Sequence, residues 1–391
     1  MFSKKNISVG LDIGTDAVKM IQLLKKKNEV ELISFGSSPF PPEAISDGII
    51  IDANSIIEAI RKVIAESNTK VKEVKVGLSG RSVIAKKIKM PLMTEEELRD
   101  SIHWEAEQHI PFSIDEVILD FQIISDEKNE KLKQMGVLLV AAKKDKVNSY
   151  MDMLSQLSLV PVLVDLDSFA IANSFEASSE IQEDEVLCLL NLGGELTNLN
   201  IMKKTCPYFV REISVGGNHF TRAIQKEFNV DFNKAEEMKL NTMKNGLQLL
   251  GKNAAYIDDG MQFIRGAGEL EGSKTDFKKD EEKEETAVVK SEEERMTMVI
   301  SSVMEQLVNE VRRSFDYFHG MGEEKEIKKI VLSGGTARMK GLVDYFSDIF
   351  KISVEVANPL ANIKIDETKF DIVKLKELSP VMGVSIGLAL R

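Results

Sequence analysis

Two distant stretches of the chain share one pattern of apolar and polar positions. Ser8–Ile21 opens with apolar Val9 and Leu11, reaches Asp12, bends at Gly14-Thr15-Asp16, and returns through Val18, Met20 and Ile21. Leu187–Ile201 repeats the plan with an apolar run, Asn191, a bend at Gly193-Gly194-Glu195, Thr197 and a second apolar run. Apolar runs on both sides of a glycine-rich bend predict a β-hairpin in each case. After the first hairpin, Glu29–Phe35 predicts a third strand and Pro39–Pro42 a proline-rich loop. Ile56, Ile57, Ile60, Val63 and Ile64 share one helical face, and Ser55 and Glu58 have the spacing of a capping box in front of it. Val74–Leu78 alternates like a strand.

A distinct unit begins near Ser79. Ile84, Ile88 and Met90 alternate with Ala85, Lys87 and Lys89, a strand with one wet face. Thr94 and Glu97 form a second capping-box pattern, opening a helix through Leu98, Ile102 and Ala106 that stops before Pro111. Leu119–Ile124 and Val137–Ala142 predict strands joined by the charged loop Asp126–Lys133. Val147, Tyr150, Met151, Leu154 and Leu157 predict a further helix, and Val160–Val164 a return to the sheet. Asp165–Phe175 reads as a helix crossing to the second half. There Arg211–Phe228 reads as a turn at Gly216-Gly217 running into a helix through Phe220, Ile224 and Phe228. Met298–Phe318 is the longest amphipathic pattern, expected to be a core helix rather than a coiled coil. Ile330–Leu332 predicts a buried strand, and Pro380–Leu390 a final helix.

These elements predict an α/β chain of two lobes. The first is 1–78, completed by 155–185 and 378–391; a β-α-β-β-α subdomain at 79–154 is inserted into it; the second is 186–377. Within the second lobe, 269–295 carries eleven acidic and six basic residues with few apolar anchors, and is expected to be a flexible surface segment.

Charge and composition narrow the function. A net charge of −12 argues against broad nucleic-acid or anionic-membrane binding. Cys188 lies in an apolar strand and is expected to be a buried reduced thiol, while neither the two cysteines nor the four histidines have metal-ligand spacing. The polar start Met1–Asn6 is unlike a signal peptide, and no apolar run reaches membrane-span length, so a soluble cytoplasmic protein without direct membrane insertion is expected. The hairpins carry the chemistry. Glycine at a hairpin tip lets backbone N–H groups approach a phosphate, and Asp12 stands where a carboxylate can hold a hydrated Mg²⁺. Ordinary hairpin turns use the same residue types.

Five segments, in order, resemble the actin-like ATPase superfamily. Asp12, Gly14, Thr15 and Asp16 resemble its first phosphate loop, and Lys19, seven residues after Asp12, stands where actin carries a phosphate-contacting lysine. Gly193, Gly194, Glu195 and Thr197 resemble the second phosphate loop. Ser333-Gly334-Gly335-Thr336-Ala337-Arg338-Met339 resembles the adenosine loop. Asp165–Phe175 and Pro380–Leu390 are similar to the two connecting helices of the hinge, and Ala235-Glu236-Glu237-Met238-Lys239 resembles the helix whose Glu and Lys border ribose and base. Within the superfamily, Glu105-Ala106-Glu107-Gln108-His109-Ile110-Pro111-Phe112, continuing to Asp115-Glu116-Val117, is similar to the signature of the PilM family of type IV pilus assembly.

The resemblance implies ATP and Mg²⁺ in the cleft between lobes, with Asp12 holding the metal through water. It also implies a role for Asp167, on the first connecting helix, where bacterial relatives carry a catalytic Glu. Asn191 departs from the Asp usual at the second loop and cannot act as a base, so binding is expected ahead of fast hydrolysis. The implied partner is the N-terminal cytoplasmic tail of a PilN-type bitopic membrane protein, held in a groove next to the inserted subdomain, with the chain peripheral at the inner membrane through it. The division protein FtsA has the same plan but ends in an amphipathic membrane helix, whereas this chain stops at Arg391. An FtsA-like filament-forming protein, a small-molecule kinase of the same fold and a nucleotide-free scaffold stay open as alternatives, as does self-association.

Overall fold

The computed structural model describes residues 6–27, 29–46, 48–129, 133–182, 185–203, 206–246, 291–321 and 326–391. Strand β1 (Ile7–Ile13) folds back on β2 (Ala17–Lys25) in the expected hairpin, with Asp12 opposite Lys19, and β3 (Val30–Pro39) continues the meander. A short ribbon of β4 (Ile45–Ser46) and β5 (Ile49–Ile50) precedes helix α1 (Ala53–Glu66). The cap of α1 differs from the Ser55–Glu58 box expected. Asp52 accepts from the backbone N–H groups of Asn54 and Ser55, and Ser55 donates its hydroxyl to the same carboxylate. A carboxylate one residue ahead of the first turn also meets the helix dipole favourably. Strand β6 (Glu73–Leu78) then lies parallel to β1.

The inserted unit contains β7 (Val83–Pro91), α2 (Glu95–Glu107), β8 (Val117–Asn129), β9 (Gln134–Lys143) and α3 (Lys144–Ser155). Its sheet runs β7-β9-β8, and α2 opens with the expected Thr94–Glu97 capping box. Strand β8 runs to Asn129, into the stretch read as the loop Asp126–Lys133, and Asn129 pairs with Gln134 of β9 after a register shift; of that loop, 130–132 lie outside the described residues. Leu98, Ile102 and Ala106 of α2 pack with Ile88, Met90, Val137 and Leu139 as a separate core. Helix α3 does not join it: Tyr150, Met153 and Leu154 pack with Val74, Val76 and Ile60 of the first lobe.

Strand β10 (Val160–Leu166) closes the first sheet as an edge, in the order β10-β6-β1-β2-β3 followed by the late strand β16 (Ile363–Lys364), and takes in Asp165 and Leu166, which were read as helix. Helix α4 (Asp167–Ser178) leads to the second sheet. There β11 (Val186–Leu192) and β12 (Thr197–Lys203) form the second hairpin, followed by β13 (Cys206–Ile213), α5 (Gly217–Phe228) and α6 (Phe232–Asn245). Arg211–Ile213 therefore belong to a strand that the sequence pattern missed. Helix α7 (Glu292–Gly320) starts at a Ser291–Glu294 capping box, so the acidic run ends in the first turn of this helix, and 269–290 lie outside the described residues. Strand β14 (Lys329–Ser333), α8 (Leu342–Phe350), β15 (Ser353–Val356), β16 (Ile363–Lys364), α9 (Ile372–Leu378) and α10 (Gly383–Leu390) complete the chain. The second sheet runs β13-β12-β11-β14-β15.

The apolar stripe of α7, with Ile300, Met304, Leu307, Val311 and Phe318, is buried against β11, β12 and α5. At roughly 1.5–3 kcal/mol for each fully buried side chain, that stripe is a main anchor of the second lobe. The lobes are joined through α4 and α10. They cross so closely that a Cβ on Gly387 would sit 1.7 Å from the Ala170 carbonyl oxygen, which only glycine permits. Together α4 and α10 bury Ala170, Ile171, Val384 and Leu388 against Leu187 and Leu189 of β11.

Candidate functional site

The hairpin tips of the two lobes meet over one cavity of about 270 Å³. Thr15 Oγ1 at the first tip accepts the Glu195 backbone N–H of the second at 3.1 Å. The Asp16 carboxylate lies over Gly194, where any Cβ would come within 2.1 Å of it, and accepts from Asn218 Nδ2 at 2.9 Å. Burial raises the Asp16 pKa, and the Asn218 bond offsets part of that rise.

The first-lobe wall is charged. Asp12 and Lys19 face each other across the hairpin, Lys19 Nζ donating to Asp12 Oδ2 at 3.0 Å, and both side chains are largely buried. Burial alone would depress Lys19, but the Asp12 charge and hydrogen bond outweigh it and raise its pKa. Asp167 opens α4 beneath Gly77. Burial, reinforced by the Asp12 charge, pushes its carboxyl up to about 7, against the opposing effects of a hydrogen bond with Ser79 and the charge of Lys146.

The second-lobe wall is polar and glycine-rich. Asn191 faces Asn198 across its hairpin and accepts from Ser333 Oγ at 3.3 Å. The carbonyl groups of Gly193 and Gly194 accept from the first N–H groups of α5, Gly217 and Asn218, at 2.8 Å each. Lys239 Nζ donates to Gly217 O at 3.1 Å and Thr221 Oγ1 at 2.9 Å, and pairs with Glu236 Oε2 at 2.7 Å. Beyond β14, Gly334 adopts φ +87°, its N–H donating to Pro380 O at 2.7 Å at the approach to α10, and no atom lies within 4 Å of where a Gly335 Cβ would be.

Of the residues singled out from the sequence, Asp12, Gly14, Thr15, Asp16, Lys19, Asp167, Asn191, Gly193, Gly194, Glu236, Lys239, Gly334, Gly335, Thr336 and Arg338 line this cavity. Three stand back from it. Glu195 points to Arg222 and Asn218; burial alone would raise its carboxyl, but those partners hold it below the ordinary range. Thr197 is buried and donates to Val215 O at 2.7 Å, and Met339 is buried in the second-lobe core. Sequence reasoning missed Lys146 and Tyr150 of α3 and Gly217 of α5, which also line the cavity. The signal for Lys146 was a lysine one turn before Tyr150 on a face otherwise apolar.

The residues fit a nucleoside phosphate with its metal. Gly335 leaves backbone open to the cavity, and the lysines supply positive charge near the glycine tips. Among the described residues no cluster of three His, Cys, Asp or Glu side chains could hold a metal, so an ion beside Asp12 would complete its shell from water and phosphate oxygens.

Comparison with known proteins places this arrangement. In the solved "PilM-PilN type IV pilus biogenesis complex", the matching chain shares 26% identity at a TM-score of 0.77, with 98% of each chain covered. MreB5 of Spiroplasma citri bound to ADP, 13% identical, superposes at a TM-score of 0.51 over 97% of this chain and 94% of that one, a likeness of fold alone. The cell division protein FtsA of Enterococcus hirae is 25% identical over 385 residues, 91% of this chain and 79% of the relative. The fold is that of the actin-like ATPases. Among the described residues no helix is long and apolar enough to cross a membrane. The profile of "Type IV pilus assembly protein PilM" matches residues 10–245 and 273–391, and the chain belongs to that family.

Proposed function

We propose that this chain is an ATP-binding scaffold of the type IV pilus inner-membrane platform, whose cleft occupancy biases its grip on a PilN-type partner. The observation that carries the reading is the meeting of the two glycine tips, Thr15 to Glu195, over one cavity that also holds the Asp12–Lys19 pair. Gly14 and Gly193, whose own N–H groups close their hairpins on Ala17 O and Leu196 O, and Gly194 keep the tips clear of side chains so that a polyphosphate can approach the backbone, and Lys19 supplies charge to it. Asp12 would hold Mg²⁺ through water, and the metal would neutralise phosphate charge that the cleft's own carboxylates oppose. Gly334, Gly335, Thr336 and Arg338 would border the adenosine, with Glu236 and Lys239 on the facing helix. Asp167 is the side chain placed to orient water, and burial, reinforced by the Asp12 charge, pushes its carboxyl up to about 7.

A relative solved together with PilN supports the partner, and the fold supplies an edge for it. Strand β10 is the outer strand of the first sheet, beside the inserted subdomain, and Val160, Val162 and Val164 along it are exposed. An extended tail can add to such an edge through main-chain hydrogen bonds, its alternate side chains meeting the valines. Because Asp16 and Glu195 lock one lobe to the other, a ligand that prefers one closure of the cleft shifts the population of the whole molecule.

Two measurements test this. The gently purified chain should release a copurifying adenine nucleotide, and the Asp12→Ala chain should release much less. Calorimetric titration with a synthetic PilN-type N-terminal peptide should give different affinities with and without ATP–Mg²⁺; superimposable titrations would remove the coupling.

A further inference from the structure

We propose that Lys146 is the specificity-determining residue by which the cleft tells a nucleoside triphosphate from a diphosphate and passes the difference to the inserted subdomain. The inference rests on the ATP-binding reading above and deepens it. Three buried or largely buried lysines line the cavity, and their partners differ in kind. Lys19 is paired with Asp12 at 3.0 Å and Lys239 with Glu236 at 2.7 Å. Lys146 instead donates to two neutral carbonyl groups, Gly48 O at 2.6 Å and Ser79 O. Its ammonium has a third N–H, with no direct carboxylate contact among the described residues. A buried cation hydrogen-bonded to carbonyl dipoles, with Asp167 and Glu212 acting on it only through space, is incompletely compensated, and burial outweighs those charges and depresses its pKa. An anionic oxygen entering the cavity is the group that would complete it.

Position selects which anion. Lys146 stands in the charged half of the cleft, its charge acting on Asp167, while the glycines assigned to adenosine are on the opposite lobe. A chain of phosphates running from Gly334 past the hairpin tips brings its terminal member, the one that ADP lacks, towards Lys146. The helix carrying it is placed to respond. Helix α3 follows β9 without a break, and its Tyr150 and Leu154 are seated in the first-lobe core. Ser79, whose carbonyl accepts from Lys146, adjoins Gly80, whose N–H is held by Glu212 of the second lobe at 2.6 Å. One ammonium thus touches the first lobe and the entry to the inserted subdomain, next to a bond from the second lobe.

The test compares ATP and ADP affinities, both with Mg²⁺, for the full chain and for Lys146→Met and Lys146→Arg. A charge-assisted hydrogen bond lost from a dry site predicts about a tenfold or larger loss for ATP and little change for ADP in Lys146→Met, with partial recovery in Lys146→Arg. An ATP-to-ADP ratio unchanged from the parent chain, with both affinities equal to the parent or weakened alike, would overturn the assignment and leave Lys146 a structural bridge. Failure of the folded parent chain to bind either nucleotide would instead overturn the ATP-binding reading itself. Hydrogen exchange on the parent chain needs no variant: amides of 144–155 should be more protected with ATP than with ADP, and equal protection counts against the proposal.

Discussion

Each lobe is built on the same three-strand device, and setting the two side by side shows where the charge has gone. In the first, the β1–β2 hairpin lies beside parallel β6, which leads into Ser79-Gly80; in the second, the β11–β12 hairpin lies beside parallel β14, which leads through Ser333 into Gly334. Both closing glycines are left-handed, φ +97° and φ +87°. The facing pair at the same register is Asp12–Lys19 in one hairpin and Asn191–Asn198 in the other. The backbone is duplicated and the electrostatics are not. On the proposed reading, phosphate and metal chemistry would be concentrated on the first lobe, with the second supplying glycine tips, amides and the N-terminus of α5.

The sharpest way to break that comparison is to neutralise each position in turn. Asp12→Asn leaves Lys19 buried beside an amide, and removing one partner of a buried pair costs about 3–5 kcal/mol. Asn191→Ala removes one acceptor from Ser333, worth about 1 kcal/mol. Thermal unfolding and nucleotide affinity should thus both fall far more for Asp12→Asn than for Asn191→Ala. Equal losses would mean that the two hairpins share the load and that the asymmetry is only in the formula.

The duplicated device was legible because alternation and glycine punctuation are local properties, and so were α2, whose capping box lies within four residues, and the apolar stripe of α7, whose own Ser291–Glu294 box fell in the stretch expected to be flexible. Strand β13 was not, because Arg211 and Glu212 look like surface charges. Only the folded chain supplies Glu310 for the first and the Gly80 N–H for the second. Lys146 escaped for the same reason: its partners, Gly48 and Ser79, are distant in sequence, and a lone lysine on a helix is ordinarily solvated. Thr197 and Glu195 sit in the right motif yet turn away from the cavity, one to Val215 and the other to Arg222, choices made by α5 and the loop before it rather than by the hairpin itself.

A second asymmetry concerns the connecting helices. Helix α4 begins with the buried acid Asp167, while α10 begins at Gly383 after the buried, apolar Met382. Since the Asp167 carboxyl titrates near 7 when folded and near 3.8 when unfolded, the unfolded chain releases this proton first. Its contribution to stability is complete below about pH 4 and is lost as pH rises towards 7. Asp167→Asn removes that loss, so the variant's stability relative to the parent should be higher at pH 8 than at pH 5.5, by about 2 kcal/mol. Urea midpoints at the two pH values check it; an offset independent of pH would show that the carboxyl carries no such burden.

The smallest expected effect probes the point where the two devices touch. Thr15→Val keeps shape and burial but removes the oxygen that accepts the Glu195 N–H, while Thr15→Ser keeps the oxygen. Because the tips are also held by Asp16 on Asn218, the stability lost in Thr15→Val should be about 1 kcal/mol, and Thr15→Ser should recover most of it. Urea denaturation of the three chains without nucleotide separates a real contact from mere proximity. If valine and serine behave alike, the Thr15 contact contributes nothing and the joining rests on α4, α10, the Asp16–Asn218 bond and the Gly80–Glu212 bond. Parting of the glycine tips around a ligand would then break the Asp16–Asn218 bond but lose nothing at Thr15.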